Sequence, residues 1–184
     1  KERLESSQMF TVFAPVNENF SSEEAEALIG SYEKEKAQGV REEDNSVVAQ
    51  FVQNHIALFN RSVSSMTNDS ITLMNGKYEV LTAQKFGERT ILSRNQYVGN
   101  GVLFTIEGPE EYFPNVFEYI GLNGQTDSLF EFLDLYSVYE FAPDQSVAGD
   151  IVDGKTVYLD SVFHLTNAML REYGHINRED SNYL

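Results

Sequence analysis

The segment that most constrains the fold of this chain is MFTVFAPVNENF, residues 9–20. Residues 10–14 combine aromatic and β-branched side chains, which favour a half-buried, pleated strand. Pro15 has no amide hydrogen to donate to a ladder, so the strand should end there. Asn17 can cap a helical turn through its side-chain oxygen, and Phe20 should return to the core. We therefore expect a buried strand that turns into a helix, with the rest of the chain packed on it.

Two helices are expected after this corner. Ser21 and Glu24 stand at capping-box spacing, which predicts a helix start, and Gly39 should end that helix. The apolar face of this helix should consist of Ala25, Leu28, Ile29 and Tyr32. A second helix is predicted over residues 46–58. Its inward set is Val47, Val48, Phe51, Val52, His55 and Phe59.

The pattern then changes from helical to alternating, which predicts strands. Asn75-Gly76 separates the alternating runs 71–74 and 77–81, and this dipeptide favours a hairpin with a type I′ turn. Residues 90–92 predict a further strand, and residues 102–106 predict another after a glycine-rich turn.

Residues 9–107 should thus form a β-rich core with flanking helices, which is an α+β fold. Its buried side chains should include Phe13, Phe51, Val52, Ile56, Val102 and Phe104. His55 should also be mostly buried, with a ring nitrogen bonded to the backbone or to a nearby side chain.

The pattern changes again after Gly108-Pro109. Residues 116–120 predict a short helix, and Thr126 or Asp127 can cap a longer one. The apolar set of that longer helix is Leu129, Phe130, Phe132, Leu133 and Tyr136. Asp153-Gly154 predicts a second hairpin, and residues 165–173 predict a last helix.

Charge and composition exclude several functions. The net charge of −16 repels nucleic acids and anionic lipids, whose binding depends on Lys and Arg. The absence of cysteine excludes disulfides, thiolate catalysis and Cys-based metal sites. No apolar run approaches the roughly 20 residues of a membrane span, so we expect a chain that is not transmembrane.

No catalytic, cofactor or metal site is predicted, and we expect no enzyme. His55 falls on an apolar helix face, where a structural histidine is more common than a general base. His164 and His175 are far apart and show no metal-binding spacing. The acidic runs Glu110-Glu111 and Glu42-Glu43-Asp44 could serve as glycosidase carboxylates or weak calcium ligands, but a solvated surface is the commoner role.

Three motifs in order resemble the fasciclin domain. Residues 11–20 resemble its first motif, TVFAPTNEAF, with departures at Val16 and Asn19. Residues 51–56, FVQNHI, stand where the family has a Tyr-His pair, and Asn54 replaces the Tyr. Residues 100–107, NGVLFTIE, resemble the motif NGVIHVID, which a proline follows, here Pro109. Phe104 and Glu107 replace the usual His and Asp of that motif.

The resemblance implies a β-rich wedge or sandwich core with flanking helices, and a non-catalytic adhesion or interaction module that binds a surface protein or a polysaccharide. Its candidate interaction residues are Asn17, Asn54 and His55. It also implies an extracellular location on a bacterial surface, as in repeat lipoproteins of the Bacteroidetes, with a lipid anchor supplied by a segment outside this chain. The alternative is a glycan-binding or glycan-processing component of a polysaccharide-utilisation system.

The resemblance also implies a domain organisation. Residues 1–109 would be a fasciclin-like core without its opening helices, and residues 110–184 would supply the opening helices and a hairpin insert of a following repeat. The chain would then be a fragment of a longer protein. Phe117, Leu129, Phe130 and Leu133 could instead complete the first core, within one chain or by helix exchange in a homodimer. Three Asp-Ser-apolar triplets, centred on Ser70, Ser128 and Ser161, resemble O-glycan acceptors of the Bacteroidetes.

Overall fold

The structure is a computed structural model that describes residues 9–143, 146–161 and 163–169. The chain divides into two compact units, Lys1–Tyr112 and Phe113–Leu184. The fold is α+β, as the sequence predicts, with a mixed seven-stranded sheet in the first unit. The division lies close to residue 109, while the assignment of each part to a repeat stays a prediction.

The large sheet has the strand order β2-β1-β7-β6-β5-β4-β3. Strand β1 lies between β2, which is antiparallel to it, and β7, which is parallel to it. The other neighbours are antiparallel. The strands are β1 Phe10–Pro15, β2 Ile56–Leu58, β3 Asn68–Thr72, β4 Tyr78–Thr82, β5 Lys85–Phe86, β6 Arg89–Val98 and β7 Gly101–Ile106.

The two edges of this sheet meet. Ala57 of β2 forms an isolated antiparallel bridge with Leu73, which follows β3 directly. The Met74 amide also donates to the Ile56 carbonyl at 2.8 Å. Because strands twist, a sheet of this length can curl until its edges join, and its inner face then encloses a core.

Aromatic rings fill that core. Phe13 stacks on Phe86 with ring centroids 3.8 Å apart and on Phe104 with centroids 5.1 Å apart, and all three rings are fully buried. The predicted burial of Phe13, Ile56, Val102 and Phe104 is confirmed. The prediction for Val52 was wrong, because 40% of its surface is exposed, and Phe51 is only half-buried.

The first helix, α1, spans Ser22–Ala37 and starts as predicted. Ser21 is its N-cap, and both hydrogen bonds of the capping box with Glu24 are present. Its apolar face packs less than expected, since no residue of the helix is buried and Ile29 is 61% exposed. The C-terminal half is tied to the following turn, where Asn45 donates to the Tyr32 carbonyl and Ser46 donates to the Glu35 carboxylate.

The predicted helix over residues 46–58 is wrong in its last part. After a 3₁₀ turn at Glu42–Asp44, the chain forms a π-helical turn at Val48–Val52 and a 3₁₀ turn at Gln53–His55. Ile56–Leu58 then becomes strand β2, whose side chains are all buried. This apolar run gains more from pairing with β1 and closing the sheet than from one more helical turn, so tertiary contacts override the local pattern.

The two predicted hairpins differ in their turns. Asp153 and Gly154 have φ of 50° and 75°, which fits a type I′ turn between two strands. At Asn75-Gly76 only the glycine has positive φ, and the Gly76 amide donates to the Leu73 carbonyl. The type I′ prediction was therefore wrong there: the turn centres on Met74 and Asn75, and Gly76 forms the bulge that follows.

The second unit begins with two short helices, α2 and α3, over Val116–Leu122 and Asp127–Asp134. Asn115 and Glu118 form a capping box at α2. Phe117 and Leu133 are buried, whereas Leu129 and Phe132 are about half exposed. Two antiparallel pairs follow, β8 Ser137–Phe141 with β11 Phe163–Asn167, and β9 Val147–Val152 with β10 Lys155–Asp160. The predicted helix over residues 165–173 was wrong at its start, which belongs to β11, and residues 170–173 lie outside the described residues.

Candidate functional site

The three candidate interaction residues differ in their exposure to solvent. Asn17 lies in the exposed turn after β1, where the cap of helix α1 is Ser21 instead. Asn54 and His55 lie in the 3₁₀ turn before β2 and are only 3% and 5% exposed. A partner bound at the surface can therefore reach Asn17 but not the other two side chains.

Both ring nitrogens of His55 are bonded to main-chain groups. Nδ1 lies 2.7 Å from the Phe51 carbonyl oxygen, and Nε2 lies 2.8 Å from the Glu110 amide nitrogen. An amide can only donate, so Nε2 accepts and Nδ1 carries the hydrogen. The imidazole thus joins the π-helical turn to the segment after β7, and the prediction of a buried His55 with a bonded ring nitrogen is confirmed.

The electrostatic setting favours the neutral ring. Burial lowers the pKa of His55, and the nearby Arg89 guanidinium lowers it further, against the opposing effect of the Phe51 carbonyl. Protonation would also place a hydrogen on Nε2 against the Glu110 amide hydrogen. In a neutral, buried imidazole whose two nitrogens are both hydrogen-bonded to the main chain, no nitrogen is free for proton transfer to a substrate.

Asn54 has a similar structural role beside it. Its Nδ2 donates to the Glu111 carbonyl at 3.3 Å, and its Oδ1 accepts from Asn75 Nδ2 at 3.0 Å. Asn75 also donates to the Ala49 carbonyl and accepts from the Lys77 amide. The two amide side chains therefore tie the β3–β4 turn to the π-helical turn and to the end of the unit.

The carboxyl groups of Glu79 and Glu110 lie close together, which the sequence did not predict. Glu79 lies on β4, Glu110 follows β7, and both reach the space above Gly87. A Cβ placed on Gly87 would lie 2.7 Å from the Glu110 carboxyl carbon and 2.9 Å from that of Glu79. The sequence analysis considered Glu110 only together with its neighbour Glu111, as a surface pair. The pairing with Glu79 depends on the strand register that brings β4 close to the end of β7, and a local sequence pattern does not show that register.

The environment of this pair favours protonation. Burial raises the pKa of Glu110, and the Glu79 carboxylate raises it further, while Arg89 and two main-chain amides act in the opposite direction. Burial also raises the pKa of Glu79, and the Glu88 carboxylate adds to this effect. Arg89 Nε lies 3.7 Å from Glu110 Oε2, and it is shielded from solvent with no hydrogen-bond partner among the described residues.

The pair is poorly placed for chemistry on a substrate. The Glu110 side chain is only 3% exposed, so a glycosidic oxygen could not approach it as a general-acid mechanism requires. The adjacent Glu111 is exposed, so the two residues of the predicted acidic pair lie in opposite environments. Within the described residues, no cluster of three or more His, Cys, Asp or Glu side chains could hold a metal ion.

Several apolar side chains of the first unit are exposed. Tyr78 and Val80 alternate with the inward Glu79 and Leu81 on β4, and each is 48% exposed. On β6, Leu92, Tyr97 and Val98 are more than half exposed. Aromatic and aliphatic groups on an outer sheet face are a common feature of binding surfaces.

The three candidate acceptor serines, Ser70, Ser128 and Ser161, are all exposed, on β3, at the start of α3 and after β10. None of the helices in the described part of the chain is long and apolar enough to cross a membrane.

The fold and the buried polar groups define a class: an α+β protein whose first unit is a curled mixed sheet, with His55 and Asn54 as structural cross-links. No protein-family model matches this chain, and no curated protein matches it either.

Proposed function

We propose that this chain is a fasciclin-like, non-catalytic interaction module of a bacterial cell surface that binds a protein or a glycan. The observation that supports it best is the use of His55: both ring nitrogens bond main-chain groups of the same unit, and the ring is buried. Asn54 and His55 bond to groups of the fold itself, so binding falls to exposed side chains.

Exposed residues of two kinds are available for a partner. The turn after β1 presents Asn17, whose amide can donate and accept hydrogen bonds with sugar hydroxyls or with a peptide backbone. Tyr78 and Tyr97 offer exposed rings on β4 and β6. With a net charge of −16, the chain favours neutral or cationic partners over anionic ones.

A binding screen against neutral and charged glycans, combined with a hydrolysis assay on the same glycans, separates this function from the glycan-processing alternative. We expect binding without release of reducing ends. Glycan hydrolysis by the full chain that Glu79→Gln abolishes would contradict the non-catalytic proposal.

A matched pair of variants tests the turn after β1. Asn17 and Asn19 are both exposed asparagines in that turn. For a ligand found in the screen, we expect Asn17→Ala to weaken binding by about tenfold, the effect of losing roughly 1.4 kcal/mol of contact. Asn19→Ala should leave the affinity unchanged. Equal affinities of both variants and the unmodified chain would remove Asn17 from the binding surface.

The proposed surface location has a separate test. Intact cells of the native host, treated with an external protease, should lose the protein while a cytoplasmic marker survives. Survival of both proteins on intact cells, with loss of both after lysis, would contradict surface exposure.

A further inference from the structure

We propose that Glu79 and Glu110 share one proton and act as a pH-sensitive latch between β4 and the segment that follows β7. This inference is independent of the proposed function, because it concerns a buried pair rather than a binding surface.

The geometry supplies the first argument. The distances from the Gly87 Cβ position, 2.7 Å to the Glu110 carboxyl carbon and 2.9 Å to that of Glu79, place both groups in one small space. A side chain at residue 87 would occupy that space, and glycine leaves it to the two carboxyl groups. Two carboxyl groups in such proximity repel each other strongly when both are ionised, so the pair retains one proton.

The charges around the pair do not neutralise it. Glu110 Oε2 accepts from the Glu88 amide at 3.2 Å and has Arg89 Nε at 3.7 Å. The Glu88 carboxylate, on the same turn, raises the pKa of Glu79. Its own side chain is exposed and lies near Lys85.

Two further titratable groups adjoin the elements that carry the pair. His55, bonded to the Glu110 amide, is neutral. Lys77 precedes Glu79 on the chain, and its Nζ lies 4.8 Å from the centre of the Tyr112 ring. Arg89 lowers the pKa of Glu110, against the Glu79 carboxylate, while the Glu88 carboxylate raises the pKa of Glu79.

The Glu79 and Glu110 side chains differ in how tightly the structure holds them. Glu110 is buried and held by the Glu88 amide, whereas Glu79 is only partly buried and its carboxylate bonds to its own neighbour, the Val80 amide, at 2.8 Å. When the shared proton leaves to water, Glu79 is therefore the group that turns outward. The two carboxyl groups then move apart, and the segment after β7, which is bonded to His55 through the Glu110 amide, loosens.

The sign of the pH effect follows from the raised pKa values. A carboxyl group whose pKa is higher in the folded chain holds a proton that the unfolded chain has already released. The corresponding stability is full below the pKa of the unfolded chain and is lost as the pH rises through the folded pKa. The latch is therefore closed below the raised pKa values of the pair and open above them.

The test is a carbon-13 NMR titration of glutamate side-chain carboxyl groups in the full chain, for the unmodified protein and for Glu79→Gln, Glu110→Gln and Glu111→Gln. Glu111 is the matched control, because it adjoins Glu110 and is exposed. We expect Glu79→Gln to lower the titration midpoint of Glu110, and we expect Glu111→Gln to leave it unchanged.

Thermal unfolding provides the second readout. Glu79→Gln removes the repulsion and retains an acceptor for the Val80 amide. We expect it to raise the melting temperature by about 2–4 °C at about pH 7.5 and to change it little at about pH 4.

An unchanged Glu110 midpoint in Glu79→Gln would overturn the proposal, and so would a melting temperature that follows Glu111→Gln at both pH values. If Glu110→Gln does not fold, the Glu79→Gln variant still tests the proposal. The side chain at residue 79 is less buried, and glutamine can keep the hydrogen bond to the Val80 amide.

Discussion

At the scale of single residues, the structure assigns His55 and Asn54 to the scaffold. His55 links Phe51 to Glu110, and Asn54 links Asn75 to Glu111. The sequence predicted a buried, bonded His55 because it lay among apolar positions. The partner Glu110, which is 55 residues away along the chain, could not be predicted, since it depends on the register of the sheet.

Replacement of His55 tests this role. His55→Ala leaves the Glu110 amide and the Phe51 carbonyl without their partner, so we expect a loss of about 2–4 kcal/mol in the free energy of unfolding. His55→Gln can keep a donor and an acceptor, and should lose less. Urea unfolding at neutral pH measures both, and equal stability of His55→Ala and the unmodified chain would contradict the structural role.

The same variants report on pH. Because the pKa of His55 is lowered by burial, the unfolded chain takes up a proton first as the pH falls. The stability that His55 contributes is full above the ordinary histidine pKa and is lost as the pH falls below it toward the folded value. The advantage of the unmodified chain over His55→Gln should therefore shrink in acid.

At the scale of elements, local patterns predicted β1, β7 and the start of α1, where aromatic, β-branched and capping residues agree with the final structure. They failed at β2, because Ile56–Leu58 is apolar throughout and its strand pairing depends on β1 and Leu73. The hairpin at Asn75-Gly76 was predicted, but its turn type was wrong, and the Asn75 side chain also bonds Asn54 and Ala49, which lie outside the hairpin.

The parallel pairing of β1 with β7 depends on Gly101. A Cβ at this position would lie 2.0 Å from the Phe10 carbonyl oxygen, and main-chain atoms of a central strand cannot move away cheaply. We expect Gly101→Ala to cost more than about 2 kcal/mol in stability. Gly99→Ala is the matched control, because a Cβ there meets nothing within 4 Å. Equal unfolding midpoints for the two variants would contradict this strand packing.

Truncation of an aromatic side chain should destabilise the protein more in the core of the sheet than in the π-helical turn. Phe13 is fully buried between Phe86 and Phe104, so Phe13→Ala should cost about 3–5 kcal/mol. Phe51 is half-buried beside Phe20 and His55, and Phe51→Ala should cost clearly less. Denaturant unfolding of both variants checks the order, and a larger loss for Phe51→Ala would contradict the assignment of the core.

For the whole molecule, the pattern of strands and helices predicted an α+β fold, and the absence of cysteine excluded thiol chemistry. The chain divides into two compact units. The hypothesis that helices of the second unit cover the first core stays a prediction. Residues 1–109 expressed alone test it: we expect them to associate or to be less stable than the full chain, since a bare apolar face favours aggregation. A soluble monomer as stable as the full chain would remove that hypothesis.

We infer that His55 is a neutral structural cross-link. Nitrogen-15 NMR of the imidazole rings in the full chain tests this role most directly, with His55→Gln to assign the His55 signals. We predict an Nδ1-protonated ring that stays neutral when the pH falls below the ordinary histidine range. A His55 ring that titrates in that range, with exchanging tautomers, would contradict the structural role.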